Sequence, residues 1–360
     1  MYFIINYLFL TRNNLIIIYI FILTKKSIIN YIKMLFKYGE GRYKPEIKIE
    51  DLKNDSIEFR LLKADLSFAN SLRRVIISEV PTMAIDMVEV VENTSPLFDE
   101  FVVHRLGLIP LKSEDIDNYQ FPLKCSCKEG CPKCQVKFEI KIKCDKDTID
   151  VTAEDIKSSN EECTVKPVKY DDPIVITKLK KGQSINMTLT AKKGIGKTHA
   201  KWSPVCTCVM RQVPDVKFPV GSGEVFWDKL TDEEKKSFCE ACPSKVFKLV
   251  DEKITIDKPD KKCTYCEECM IKIQDFIKKK DKKKYQELVK EKGNVPENKG
   301  PSINYRELIE VQPKENEFVF KIETTGAMSP KKIVMEAFNI LKQKFLEVDH
   351  ILIEKMELEE

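Results

Sequence analysis

Cysteine spacing points most directly to chemistry in this sequence. The first group holds four thiols within ten residues: Cys125, Cys127, Cys131 and Cys134. Gly130 and Pro132 allow the chain to turn, so four thiolates can close a tetrahedral shell around Zn²⁺. Such a shell leaves no open position for water, and the predicted zinc role is therefore structural. The alternative is a patch of four unligated surface thiols.

A second group combines a three-cysteine run with a distant fourth cysteine: Cys242, Cys263, Cys266 and Cys269. In ferredoxins such a run binds three corners of a cubane, and a remote Cys-Pro supplies the fourth. The intervening residues 246–256 read as a hairpin that returns Cys242 to the run. This predicts one [4Fe–4S] cluster, with Zn²⁺ in the same S₄ cage or a site without metal as alternatives. Little apolar sequence surrounds the group, so metal binding is expected to supply much of the local folding free energy.

The remaining cysteines have no metal-ligand spacing. Cys239 is a spare thiol beside the second group. Cys144, Cys163, Cys206 and Cys208 lie in apolar or strand-like contexts and are predicted to be buried. Thirteen cysteines, an odd number that falls in bunches, indicate a reducing compartment rather than a secreted disulfide framework.

Other catalytic patterns are weak. Residues 191–198 resemble a P-loop, but Ala191 replaces the first glycine and Pro204 interrupts any following helix. The three histidines are far apart, and no triad, HExxH motif or pair of carboxylates accompanies them. Nucleotide binding and hydrolysis are therefore not predicted.

The distribution of charge along the chain argues against a protein that binds nucleic acid by itself. Residues 1–33 hold four basic residues and no acid; removing those four from the total of 61 leaves 57, equal to the 57 acidic residues. The formally neutral body indicates at most indirect contact with DNA.

The apolar stretch at 1–33 is interrupted at Arg12, too early for a bilayer span. It is predicted to be an upstream extension outside the mature protein, with Met34 as the working start; a targeting peptide and a membrane anchor are the alternatives.

Hydrophobic periodicity predicts matching elements at the two ends of the chain. Near the start, strands at 46–52 and 56–62 precede a helix from Phe68 to Val80, capped by Asp65 or Ser67. Near the end, a strand at 318–323 precedes a helix from Pro330 to Val348, capped by Ser329. The helices carry long apolar stripes: Phe68, Leu72, Val75 and Ile76, then Ile333, Val334, Ala337, Phe338, Leu341, Phe345 and Val348. These patterns predict one α+β domain built from both ends of the chain.

Two segments are predicted as insertions into that domain. Residues 84–199 carry short alternating runs and read as a mainly β insert; the predicted strands are 87–91, 136–142, 149–152, 174–179 and 185–190. Residues 221–301, rich in cysteine and lysine, form the second insert. Its lysine run at 278–284 reads as a solvated loop rather than a nucleic-acid contact, because no aromatic side chains alternate with the charges.

Several long motifs resemble one known family. They are LSFANSLRRV at 66–75, EVPTMAID at 79–86, EFVVHRLGLIPL at 100–111, KKGIGKTHAKWSP at 192–204 and ETTGAMSP at 323–330. Together they resemble the α-like subunits of multisubunit DNA-directed RNA polymerases over about residues 45–350. The resemblance implies a dimerisation domain at 34–83, 200–220 and 302–360, split by the inserted β domain at 84–199 and a ferredoxin-like insert at 221–301.

The family resemblance also implies function and partners. It indicates a non-catalytic assembly subunit that pairs with a smaller α-like subunit and then holds the large catalytic subunits, beside small zinc-binding ones. The predicted partner interface is Phe68, Leu72, Val75, Ile76, Val334, Phe338, Leu341 and Phe345. An iron–sulfur electron-transfer protein is the competing class, although no flavin or nicotinamide motif accompanies the cysteines.

Similarities within the family point in two directions. The loop at 125–134 and residues 99–101 resemble the polymerase II members, which implies transcription in the nucleus. The Cys242–Cys269 region instead resembles archaeal members and members shared by RNA polymerases I and III. The polymerase II interpretation is preferred, and the other two remain alternatives.

Overall fold

The computed structural model describes residues 45–127, 130–145, 147–159, 163–218, 227, 230–279 and 308–357. The expectation for residues 1–33 lies outside these ranges. The chain divides into two compact units: unit 1 extends to Met210 and resumes at Phe318, and unit 2 is Arg211–Glu317. No helix among the described residues is long and apolar enough to cross a membrane.

Helices and antiparallel strands are mixed along the chain, which confirms the predicted α+β class. The strands are β1 (Glu46–Leu52), β2 (Ser56–Leu62), β3 (Pro81–Asn93), β4 (Gln135–Lys143), β5 (Thr148–Thr152), β6 (Lys157–Ser158), β7 (Val175–Lys180), β8 (Ser184–Ile195), β9 (Val205–Lys217), β10 (Phe247–Val250), β11 (Lys253–Ile256) and β12 (Glu310–Thr324). The helices are α1 (Leu66–Ser78), α2 (Asp99–Gly107), α3 (Asp232–Ala241), α4 (Pro259–Lys262), α5 (Glu268–Lys279) and α6 (Pro330–Glu357).

One sheet of unit 1 has the strand order β1-β2-β12-β9, so strands from both ends of the chain lie side by side. In β2 the buried side chains alternate with partly exposed ones, as expected for a strand with one face on a core. Phe59 of β2 stacks on Phe320 of β12 with ring centroids 4.9 Å apart. This contact joins the two ends in one core, as the paired stripes predicted.

Helix α1 begins at a side-chain cap. Asp65 Oδ1 accepts a hydrogen bond of 2.7 Å from the Phe68 amide, which selects Asp65 rather than Ser67 as the N-cap. The helix ends at Ser78, two residues before the predicted end. The amide of Val80 still bonds to the Val75 carbonyl, but β3 begins immediately afterwards at Pro81.

Helix α6 begins where predicted but continues to Glu357, nine residues beyond the predicted end at Val348. The predicted end was wrong because it was placed where the apolar stripe stops, whereas no proline or glycine follows to stop the helix. The Ser329 amide donates to Glu114 Oε1 at 2.6 Å, so a residue far away in sequence caps the first turn.

The β insert contains one sheet ordered β3-β8-β4-β6 and a pair β5-β7. Strand β3 covers 81–93 rather than the predicted 87–91, because Asp86 interrupts the alternation. One register shift lies at Asp86, between Ile85 and Met87, and a second lies between Val90 and Glu92. The Asp86 carboxylate pairs with Lys201 at 2.8 Å and Lys192 at 3.4 Å. These lysines lower the pKa of Asp86 against the opposing effect of burial. Helix α2 was not predicted.

Two glycines of the P-loop-like segment, residues 191–198, are required by close packing. A Cβ on Gly194 would lie 2.3 Å from the Trp202 ring, and one on Gly196 would lie 2.5 Å from the Ile77 carbonyl oxygen. The Lys197 amide donates to the Ser78 carbonyl at 2.7 Å. The glycines thus allow the end of β8 to pack against Trp202 and the end of α1. A short 3₁₀ turn, rather than an α-helix, follows.

Unit 2 has a larger apolar core than its composition indicated. Rings of Trp227, Phe238 and Phe247 pack with centroids 4.7 and 4.8 Å apart, beside buried side chains of α5. Thr231 and Glu234 form a capping box at the start of α3. This core therefore contributes to the folding free energy of unit 2 as well. The share assigned to metal binding is smaller than the sequence indicated.

Candidate metal centres

The four cysteines of the first group converge on one point. Their sulfur atoms all lie within 4.8 Å of one another. The separations are 3.6 Å for Cys125–Cys131, 3.5 Å for Cys127–Cys134 and 3.8 Å for Cys131–Cys134. A tetrahedral Zn²⁺ with Zn–S bonds of about 2.3 Å places its sulfurs about 3.8 Å apart. The loop therefore has the geometry of a four-thiolate zinc site.

Backbone hydrogen bonds close the base of this loop. The Gln120 amide donates to the Lys133 carbonyl at 2.8 Å, and the Cys134 amide donates to the Cys131 carbonyl at 2.9 Å. The Cys131 amide also points at Cys134 Sγ, 3.3 Å away, where it stabilises a thiolate. Gly130 has a φ of 97°, a conformation that side-chain-bearing residues rarely adopt.

Protonation is shared among these thiols. Hydrogen bonds from the backbone and side chain of Cys127 lower the pKa of Cys125 to about 7. The hydrogen bond with Cys125 raises the pKa of Cys127 to about 12. The Cys125 thiolate thus favours a proton on Cys127, so the two thiols titrate together. A bound cation would favour the thiolate form of both.

Lys193 positions the segment that leads into the loop, which the sequence did not reveal. Its Nζ donates to the carbonyls of Ile116 and Tyr119, both at 2.9 Å, and lies 5.1 Å from the centroid of the Phe121 ring. Burial lowers the pKa of Lys193. Sequence offered no signal, because the contact joins positions more than seventy residues apart.

The four cysteines of the second group line a common pocket that is partly open to solvent. Its other lining residues are Val216, Ser244, Val246, Phe247, Thr264, Tyr265, Glu267 and Val311. Cys242 and Cys269 are buried, Cys263 is half-buried and Cys266 is exposed. The hairpin β10–β11 returns the chain from Cys242 towards the run, as predicted.

The ligand set of this pocket suits either an iron–sulfur cluster or a single metal ion. Four thiolates can bind the irons of a cubane or surround one tetrahedral Zn²⁺.

Backbone amides point at the sulfurs of this pocket. The Val246 amide donates to Cys242 Sγ at 3.4 Å, and backbone groups of Tyr265 and Met270 bond to Cys263 and Cys269. Non-glycine residues in the left-handed region build these turns: Lys245, Tyr265 and Glu267, with φ of 52°, 57° and 61°. Such backbone strain is concentrated at functional sites.

Burial favours the protonated form of two thiols in this pocket. Burial raises the pKa of Cys269 to about 11 and also raises the pKa of Cys263. Metal binding must therefore displace protons here, which ties occupancy to pH. Cys239, the spare thiol, is half-buried, and burial raises its pKa as well.

Apart from Cys239, the cysteines outside the two groups do not share one environment. Cys144 and Cys163 are buried as predicted, and Cys208 is half-buried with a pKa raised to about 12 by burial. Cys206 is exposed, contrary to the prediction. It lies at the start of β9, where its thiol donates to the carbonyl of Glu323.

The apolar stripes of α1 and α6 pack against each other within the chain. Six of the predicted interface residues are buried in this core: Leu72, Val75, Ile76, Val334, Phe338 and Leu341. Phe68 is half-buried, with its ring 6.5 Å from that of Phe338, and Phe345 is 59% exposed. Of the predicted set, only Phe345 and part of Phe68 remain open to a partner, because each stripe supplies the other's burial.

Comparisons with known proteins agree with the motif pattern. Residues 86–205 match the family model described as the RNA polymerase Rpb3/RpoA insert domain. The chain is 36% identical over 323 residues to the DNA-directed RNA polymerase II subunit rpb3 of Dictyostelium discoideum, covering 87% of this chain and 96% of the relative. Subunit 3 of RNA polymerases II, IV and V of Arabidopsis thaliana is 39% identical over 317 residues, covering 83% of this chain and 89% of the relative. The rpac1 subunit of RNA polymerases I and III of Dictyostelium discoideum is 32% identical over 323 residues, covering 84% and 81%.

Proposed function

The chain belongs to the family of α-like subunits of multisubunit DNA-directed RNA polymerases, and from that premise we propose that it is the polymerase II member in its cell. It acts as a non-catalytic assembly subunit in transcription. The observation that carries the proposal is similarity to polymerase II subunits along most of both chains. The described residues contain cysteine clusters suited to metals and no constellation suited to turnover.

The proposed first partner is a smaller α-like subunit. Helix α6 extends beyond its contact with α1, and its apolar stripe continues from buried Leu341 to Phe345 and Val348, which are 59% and 55% exposed. Exposed apolar residues at this spacing form one helix face. Pairing would bury that face and create the platform for the large catalytic subunits. The proposed assembly also contains small zinc-binding polymerase subunits. The chain contacts DNA only indirectly, through the complex, and the complex acts in the nucleus.

Zinc is the proposed occupant of the first cysteine group. The sulfur separations support Cys125, Cys127, Cys131 and Cys134 as its four ligands. When bound, zinc supplies four strong bonds that stabilise the loop. The chain's own residues do the rest: Lys193 and the backbone bonds at the loop base fix its orientation.

A [4Fe–4S] cluster is the proposed occupant of the second group. The common pocket, the spacing of the three-cysteine run and the amide donors support Cys242, Cys263, Cys266 and Cys269 as ligands. When bound, the cluster supplies cross-links between the Cys242 turn and the three-cysteine run. Its proposed role is stabilisation of unit 2 rather than transfer of electrons to a substrate.

A second candidate is the subunit shared by RNA polymerases I and III. The 32% identity to rpac1 over most of the chain and the ferredoxin-like cysteine pattern favour it. The partner identifies the class, so co-expression of the full chain with each candidate small α-like subunit is the test. We expect a stable 1:1 heterodimer with the polymerase II partner. Exclusive pairing with the polymerase I/III partner would replace the proposal, and a monomer with redox turnover would indicate an iron–sulfur enzyme.

A further inference from the structure

A filled second metal site would bury negative charge. Four thiolates around an iron–sulfur core carry net negative charge, while the pocket has apolar walls at Val216, Val246 and Val311. Charge in such surroundings is costly unless donors and cations compensate it. The amides described above provide dipoles. A nearby cation would provide the remaining compensation.

Arg211 of β9 lies where its positive charge can provide this compensation. Its Nη1 donates to the Asp260 carbonyl at 2.9 Å, which ties the guanidinium to α4, three residues before Cys263. The neighbouring residue, Gln212, accepts a hydrogen bond of 3.5 Å from the Tyr265 hydroxyl, and Tyr265 lines the pocket. Arg211 is half-buried, so solvent screens its charge only in part.

Two other charged side chains near this position form ion pairs of their own. Asp215 pairs with Lys217, and the Lys262 ammonium pairs with Asp257 at 2.7 Å. Glu267, an acidic residue, lines the pocket beside Cys266.

We propose that Arg211 is a positioning and charge-compensating residue for the cluster bound by Cys242, Cys263, Cys266 and Cys269. Its hydrogen bond orients the segment that presents Cys263, and its charge stabilises the more negative, reduced state of the cluster. The inference rests on the [4Fe–4S] site proposed above. Net charge and hydrogen bonding near the sulfurs are general determinants of cluster potentials.

The test is a redox titration of the full chain. Wild type, Arg211→Met, Arg211→Gln and Arg211→Lys are reconstituted anaerobically with iron and sulfide, reduced with dithionite in the presence of mediators, and followed by electron paramagnetic resonance. Lys248→Met is the matched control, because it removes one positive charge from a side chain that is 56% exposed. Coulomb energies of partly buried charges give an expected effect of about tenfold on the reduction equilibrium.

We expect Arg211→Met and Arg211→Gln to shift the midpoint by about 59 mV to more negative values, the one-electron equivalent of tenfold. Arg211→Lys and Lys248→Met should stay close to wild type. An unchanged potential in both neutral variants, or an equal shift in Arg211→Lys, would overturn the role of Arg211 and leave the cluster in place. A wild-type chain that binds zinc and gives no iron–sulfur signal would reject the cluster itself and the inference with it.

Discussion

At the scale of single residues, the two cysteine groups are the places where this chain can bind metal. The structure brings Cys125, Cys127, Cys131 and Cys134 within zinc-binding distance, and it lines one pocket with the second group. Sequence spacing could not reveal the residues that orient them. Lys193 and Arg211 act through carbonyl groups distant in the chain, and the amide donors depend on backbone angles.

Removing one thiolate from the first group should release its metal. In Cys131→Ser we expect zinc content to fall by roughly one equivalent per chain, because three thiolates and a hydroxyl bind Zn²⁺ weakly. Elemental analysis of the purified full chain measures this. Cys144→Ser, at a buried cysteine outside both groups, should keep its zinc; unchanged zinc in Cys131→Ser would contradict the assignment.

Removing a ligand from the second group should abolish colour. Anaerobically purified wild type is expected to absorb broadly near ~400 nm, and Cys266→Ala should lose this band and become protease-sensitive within unit 2. Cys266 is exposed, so its truncation leaves no cavity in the core. Cys206→Ala, also at an exposed cysteine, is the control. A colourless wild type with two zinc ions per chain would replace the cluster by a second zinc site.

At the scale of elements, periodicity predicted the terminal helices and strands because each buries one regular face. It missed α2, α3, α4 and α5. Of these, α2 and α3 are short and bury only Val102, Leu106 and Phe238. It also missed β9, whose pattern mixes buried and half-buried positions. The interface prediction was too broad for a related reason: a stripe on a helix does not reveal whether another helix of the same chain covers it.

The exposed end of the α6 stripe is expected to bind the small partner. Phe345→Asp should abolish recovery of the small α-like subunit in co-expression, because a carboxylate would be buried without a counter-charge. Leu346→Asp is the matched control, since it changes a 43% exposed apolar residue about 100° around the same helix. Equal recovery with the two variants, whether high or low, would contradict a specific face on α6.

The contact between the end of β8 and α1 leaves no space for a side-chain atom at Gly196. In Gly196→Ala the new Cβ would lie 2.5 Å from the Ile77 carbonyl oxygen, a backbone atom that cannot move aside. Overpacking of this kind costs about 1–3 kcal/mol in the free energy of unfolding. Gly107→Ala, whose Cβ would lie at an ordinary 3.5 Å from the Ile85 oxygen, should cost clearly less in denaturant unfolding. Equal losses in the two variants would contradict the packing argument.

At the scale of the whole molecule, the chain is organised for assembly. Unit 1 joins both ends of the chain around one core, and unit 2 carries the second cysteine group on a core of its own. The predicted split domain rested on the paired terminal helices, and the motif resemblance supplied the family. Neither composition nor periodicity could have supplied the partners, because a partner is recognised by surfaces that the fold creates.

The subunit composition of the native complex tests most directly whether this chain is the polymerase II assembly subunit. The full chain, tagged at its own locus, is purified at moderate ionic strength, and its stoichiometric partners are identified by mass spectrometry. We expect the two large subunits of RNA polymerase II and one small α-like subunit, each close to one copy per tagged chain. Recovery of the chain alone, or with the large subunits of RNA polymerases I and III only, would contradict it.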